Sequence, residues 1–141
     1  MPRRRAIHAG MDASPDRSFR RLDAWRAARD LVAEVYRLSV AWPASERFGL
    51  TSQLRRAAVS VAANIAEGTA RRGPRAWRQF LDIALGSLAE VECLLELVVT
   101  VGLAEEPQLA AAREACGRTA RLTWALATSL RRAAGRAAPP A

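Results

Sequence analysis

The chain has no lysine, and all 22 of its basic side chains are arginines. It has one histidine (His8), two cysteines, one tyrosine and only 6% aromatic residues. Each scarcity excludes a class of chemistry. A single histidine in an N-terminal stretch without apolar pattern removes histidine-based triads, the usual proton shuttle and most zinc sites. Cys93 and Cys116 are too few and too far apart in sequence for a disulfide framework or a Cys-x-x-Cys site. They are expected to be small buried hydrophobes in helices. No Gly-rich phosphate loop is present, nor the Glu-x-x-His pairs of di-iron bundles, although Asp82, Glu90, Glu92 and Glu96 share one segment. No catalytic, metal or cofactor residue is therefore assigned, and the chain is expected not to be an enzyme. The longest apolar run, Cys93 to Ala104, falls short of the ~20 residues of a membrane span and contains Glu96. Arg3–Arg5 are not followed by an apolar stretch, so no signal peptide is visible. A cytoplasmic protein without membrane contact is expected. The absence of lysine fits a GC-rich bacterial genome, so the arginine count alone does not demand arginine chemistry.

What is abundant is alanine, which supplies most of the 50% hydrophobic content and favours helix over strand. The prolines fall in the tails or between apolar segments. Residues 1–17 read as a disordered basic arm, residues 18–134 as one domain, and residues 135–141 as a disordered tail. Within the domain the spacing predicts four helices. The first runs from about Arg20 to Trp42, with Leu22, Trp25, Ala28, Val32, Val35, Leu38 and Trp42 on one face and Pro43 as its stop. The second runs from about Thr51 to Glu67, with Thr51 or Ser52 as N-cap and Gly68 as C-terminal cap. The third opens at Pro74 after Gly73 and ends at Gly102. The fourth runs from near Pro107 to about Ala134. Its stripe is Leu109, Ala112, Cys116, Ala120, Thr123 or Trp124, Ala127 and Leu130. Short linkers imply an all-α, antiparallel up-down-up-down four-helix bundle.

The second helix, TSQLRRAAVSVAANIAEG, carries two stripes. Leu50, Leu54, Ala57, Val61 and Ile65 form an ordinary core face. Gln53, Arg56, Ser60, Asn64 and Glu67 form a polar face at three- and four-residue steps. The remaining surface is mostly Val59, Ala62, Ala63 and Ala66, too apolar for a solvated face. This helix is thus expected to be covered on nearly all sides, its alanine face by another subunit. Its polar face is expected to form a buried structural network of Gln53, Arg56, Ser60, Asn64, Glu67 and Glu90, in which Arg56 pairs with Glu67 or Glu90.

Charge is segregated. Residues 82–106 carry six acidic groups and no basic one, whereas Arg71, Arg72, Arg75 and Arg78 lie together without an acid. The latter sit at a helix N-terminus, already partly positive, and so suit a phosphate. The net charge of +8 is partly in the tails, since residues 1–17 hold four Arg and two Asp. Arg71, Arg72, Arg75 and Arg78, helped by Arg118 and Arg121 of the fourth helix, are the candidate nucleic-acid-binding residues.

The segments ERFGLTSQLRRAAVSVAANIAEG (Glu46–Gly68) and FLDIALGSLAEVE (Phe80–Glu92) resemble the 23S ribosomal RNA intervening-sequence protein family, also called four-helix-bundle proteins. The likeness runs from about Phe19 to Arg132, and Asn-Ile-Ala-Glu-Gly is its most specific part. Residues matching the family pattern are Gln53, Arg56, Ser60, Asn64, Glu67, Gly68, Gly86, Ser87 and Glu90. The resemblance implies a four-helix bundle assembling into a homopentamer, without catalytic activity. A more distant resemblance, to the accessory variability proteins of diversity-generating retroelements, implies contact with RNA or DNA and with a reverse transcriptase. The expected function is a homo-oligomeric scaffold that binds nucleic acid. The alternative is a protein-interaction scaffold without nucleic-acid contact.

Overall fold

A computed structural model describes residues 18–137. Among these residues the chain is all-helical, with α1 Asp23–Ser39, α2 Leu50–Thr69, α3 Pro74–Thr100 and α4 Ala110–Ala137. Short 3-10 turns at Phe19–Arg21, Ala44–Glu46 and Glu106–Leu109 complete it. The expected basic arm, residues 1–17, lies outside the described residues.

Each helix end has a local cause. α1 stops at Ser39, three residues before the expected Trp42. The Ser39 hydroxyl donates to the Val35 carbonyl at 2.7 Å, Trp42 N–H closes a turn on the Ser39 carbonyl at 3.1 Å, and Pro43 is extended. α2 begins at Leu50, not behind a Thr51 or Ser52 cap. Both lie inside the helix, and the Glu46 carboxylate accepts the Leu50 N–H at 3.2 Å instead. Gly68 is likewise inside α2 and does not cap it. Its lack of a side chain admits Trp77, whose Cδ1 would stand 2.4 Å from a Cβ there. The glycine in left-handed backbone is Gly73, at φ +82°, directly before Pro74 at the first position of α3. α3 ends in a Schellman pattern. Leu103 N–H reaches the Val98 carbonyl and Gly102 N–H the Val99 carbonyl, both at 3.0 Å, with Gly102 at φ +80°. The 3-10 turn that leads into α4 opens on a reciprocal cap between Glu105 and Gln108. α4 continues through Gly135 to Ala137, so the tail expected from residue 135 is helical in its first three residues.

α2 packs along α3, α1 along α4, α3 along α4 and α1 along α2. Leu31, Val35, Leu54, Val61, Ile65, Leu81, Val91, Leu95, Val98 and Leu109 are fully buried between them. On α1 the buried line is Ala24, Ala28, Leu31 and Val35, with Trp25, Val32 and Leu38 at its margin. α4 buries Thr119 and Thr123 alongside Leu109, Ala112, Cys116 and Ala127, while Trp124 stands 61% exposed. The open choice between Thr123 and Trp124 falls to threonine, whose small body suits a core that alanines hold close. No helix among the described residues is long and apolar enough to cross a membrane.

Candidate nucleic-acid interface

The arginines of residues 71–78 are placed by the α2–α3 junction. Gly68 lets Trp77 lie against α2, and Gly73 and Pro74 reverse the chain within a few residues. A groove of about 310 Å³ at this junction is lined by Leu22, Thr69, Pro74, Trp77, Leu130 and Ala133. Three separate stretches of sequence therefore meet here: the start of α1, the α2–α3 turn and the last turns of α4. Each brings its own arginines, namely Arg20 and Arg21, the 71–78 cluster, and Arg131, Arg132 and Arg136, and all but half-buried Arg78 are exposed.

Few carboxylates offset them. Arg71 Nη2 donates to Glu67 at 2.7 Å while its guanidinium lies 4.7 Å from the centre of the Phe80 ring. Among the described residues Arg72, Arg75 and Arg78 have no ion-pair partner, and Arg78 Nε is buried without a hydrogen bond. The first turn of α3 contains no acid, so nothing within it neutralises the partial positive charge of the helix terminus.

Arg118 and Arg121 do not join this cluster. Arg118 lines another groove with Asp30, Glu34 and Glu114, roughly 20 Å along α4 from Arg131 at 1.5 Å per residue. Arg121 is exposed, and a Cβ on Gly117 would lie 3.4 Å from its Nη1. In the sequence these two stand out by charge alone, as do Arg131 and Arg132 further along the same helix, whereas nothing there ties Arg20 and Arg21 to the site. Matching the end of the fourth helix to the start of the third would have found them.

The polar stripe of α2 is only partly a network. Ser60 Oγ and Ser87 Oγ lie 2.9 Å apart across α2 and α3, and Asn64 Nδ2 donates to the Ser60 carbonyl at 2.8 Å and to its hydroxyl at 3.1 Å. Gln53, Arg56 and Glu90 line a groove of about 380 Å³ beside Ser60. Arg56, expected to be buried and paired, is exposed and bonds neither Glu67 nor Glu90 among the described residues. Glu67 is taken by Arg71, four residues on and so one turn away on the same face. α2 is not covered within one subunit: Gln53, Val59, Ala63 and Glu67 are exposed.

At the far end of α3, Arg113 of α4 binds Glu96 at 2.8 Å and Glu106 at 2.5 Å. These bonds, Glu106 foremost, raise the Arg113 pKa further. Cys93 is exposed rather than buried, but Cys116 is buried. Both line one cavity of about 460 Å³ with Glu92, Glu96 and Arg113. Burial first, and then the Glu92 charge, push the Cys116 thiol up to about 11, which makes it a poor nucleophile at neutral pH. Among the described residues no group of three or more His, Cys, Asp or Glu is placed to hold a metal.

Residues 20–125 match the model of the family described as 23S rRNA-intervening sequence protein. The fold is similar to the crystal structure of a protein of unknown function of the S23 ribosomal protein family from Bacteroides thetaiotaomicron VPI-5482. That likeness has a TM-score of 0.60 at 19% identity and covers 76% of this chain and 97% of the other. No curated protein matches the chain.

Proposed function

The chain belongs to the 23S rRNA-intervening sequence protein family, and from that premise we propose a non-enzymatic, homo-oligomeric scaffold that binds the backbone of RNA or DNA in the cytoplasm. The observation that carries this reading is the meeting of three arginine-bearing segments around one groove, with Glu67 the one carboxylate bonded to the 71–78 cluster among the described residues. Guanidiniums on separate helix ends, held at fixed spacing by a packed core, suit a run of phosphates better than a single anion.

The protomer is an up-down-up-down bundle in this reading. The pairs Ser60–Ser87 and Gly68–Trp77 between α2 and α3 run in opposite numerical directions, as do Leu88–Cys116 and Glu96–Arg113 between α3 and α4. Five protomers form a closed ring, for which the uncovered small-residue side of α2, the exposed apolar Ile83 and Leu97 of α3 and Val101 just after it supply surface. A ring repeats a weak phosphate-binding patch on one particle and converts it to avidity. A role as accessory to an RNA-directed process, with a reverse transcriptase as partner, is the most specific form of the proposal.

The test is fluorescence anisotropy with a labelled single strand and a duplex over a salt series. If four arginines per subunit each neutralise a phosphate, affinity falls by roughly three to four decades per tenfold increase in salt. Arg72→Glu with Arg75→Glu abolishes binding while light scattering still reports the assembly. Absence of binding at low salt replaces this reading with a protein-interaction scaffold.

A further inference from the structure

A second cluster of arginines lies where the end of α1 meets the start of α2, and it differs from the first in presenting an aromatic ring, Phe48, almost wholly to solvent, whereas Trp77 and Phe80 beside the first are half-buried. The Ser39 hydroxyl that closes α1 accepts a hydrogen bond from Arg55 Nε at 2.9 Å. That contact fixes the Arg55 guanidinium over the Tyr36 ring, 4.4 Å from its centre. In the connecting turn, Arg47 lies 5.4 Å from the centre of the Phe48 ring, which is 88% exposed. Arg56 and Val59 of α2 complete a groove of about 310 Å³.

Three features define what fits there. The lining residues include three arginines and no carboxylate, and none of the three has an ion-pair partner among the described residues. Phe48 offers a flat apolar surface to solvent, with Arg47 against its ring among the described residues. The volume stands at the low end of the range for small-molecule pockets. A ligand matching all three is negatively charged, has a planar ring, and is about one nucleotide in size.

We propose that this groove binds an unpaired nucleotide of a single strand, its base stacked on Phe48 and its phosphates held by Arg47 and Arg56, with Arg55 keeping Tyr36 in place. A duplex buries its base faces and offers only phosphate, so this groove discriminates single strand from duplex whereas the 71–78 cluster does not. The inference rests on the reading of the chain as a nucleic-acid binder and adds its preference.

The experiment uses the full chain, a fluorescein-labelled oligothymidylate 20-mer and a labelled blunt duplex of the same length, at fixed low salt. Phe48→Ala is expected to weaken single-strand binding roughly 5- to 150-fold, the worth of one stacked base, and to leave duplex binding unchanged. Phe48→Trp keeps or tightens it, and Arg72→Glu with Arg75→Glu abolishes binding of both probes. Because Phe48 is almost wholly exposed, its loss leaves the fold intact, which circular dichroism verifies. Unchanged single-strand affinity in Phe48→Ala, or equal losses on both probes, overturns the groove. So does a drop in particle mass by light scattering, which shows that a second copy of the chain covers Phe48. Wild-type binding to duplex but not single strand defeats this inference alone, whereas binding to neither probe defeats the proposed function as well.

Discussion

Replacing Gly68 by alanine sets two effects of opposite sign against each other. Gly68 lies inside α2, where alanine is favoured over glycine by about 1 kcal/mol. A Cβ at this position, however, would stand 2.4 Å from Trp77 Cδ1, 3.0 Å from Nε1 and 3.1 Å from the Phe80 Cβ. Carbon atoms prefer about 3.5–4.0 Å, so the indole must retreat by more than 1 Å from the helix it packs on. Overpacking of this kind costs about 1–3 kcal/mol and exceeds the helix gain through most of that range. The expected net loss is about 0–2 kcal/mol, which lowers Tm by up to roughly 10 °C for a domain of this size. Gly86→Ala provides the contrast: it too lies within a helix, but nothing stands within 4 Å of a Cβ there. That substitution should gain about 1 kcal/mol from the same helix preference. Adding Trp77→Leu to Gly68→Ala should recover part of the loss, since the clash is with the indole, and the double-mutant cycle measures that coupling. Thermal melts followed by far-UV circular dichroism suffice. A Gly68→Ala protein stabilised as much as Gly86→Ala would show that Trp77 does not pack on α2 as described.

Ile65→Ala, at a fully buried position, should cost about 2–5 kcal/mol through the lost side chain and the cavity left behind, read from urea midpoints. Arg113→Ala removes a half-exposed pairing with Glu96 and Glu106 and should cost no more than about 1 kcal/mol, less in high salt, by the same assay. Cys93 is exposed and Cys116 buried, so a thiol reagent should modify one cysteine quickly and the second only on unfolding. Cys116 has a folded pKa raised from 9.0 to about 11. The fold thus favours the protonated thiol, so its contribution to stability is complete below pH 9 and is lost as pH rises from about 9 to about 11. Urea midpoints across that interval should fall for wild type and fall less for Cys116→Ala.

Much of the fold was legible because its determinants are local. Pro74 after Gly73, and the three- and four-residue spacing of Leu54, Ala57, Val61 and Ile65, depend on nothing distant in sequence. What failed was Gly68. A glycine after a helical run reads as a cap, but here it serves close packing against Trp77, nine residues on and on another helix. The N-cap of α2 failed for a related reason. Thr51 and Ser52 have the right chemistry, but the Glu46 carboxylate, brought back by a 3-10 turn, reaches the Leu50 N–H first.

The candidate site was legible as charge and not as surface. Arginines 71, 72, 75 and 78 stand out in the sequence because they lie close together in it, whereas the segments that carry Arg20, Arg21, Arg131 and Arg132 reach the same groove, through Leu22, Leu130 and Ala133, only once α1 and α4 have packed. Arg118 has the same charge and spacing as its neighbours on α4, yet it faces Asp30, Glu34 and Glu114, so part of its field is cancelled. Arg56 shows the converse. It stands eleven residues before Glu67, roughly 16 Å along the same helix at 1.5 Å per residue, too far to pair within one chain, and Arg71, one turn on, holds Glu67. Arg56 has no ion-pair partner among the described residues and lies between the groove of Phe48 and Tyr36 and that of Gln53 and Glu90. Which arginines remain free to bind a phosphate is thus decided by the carboxylates that helix packing brings within reach of each, and not by the spacing of charge along the chain.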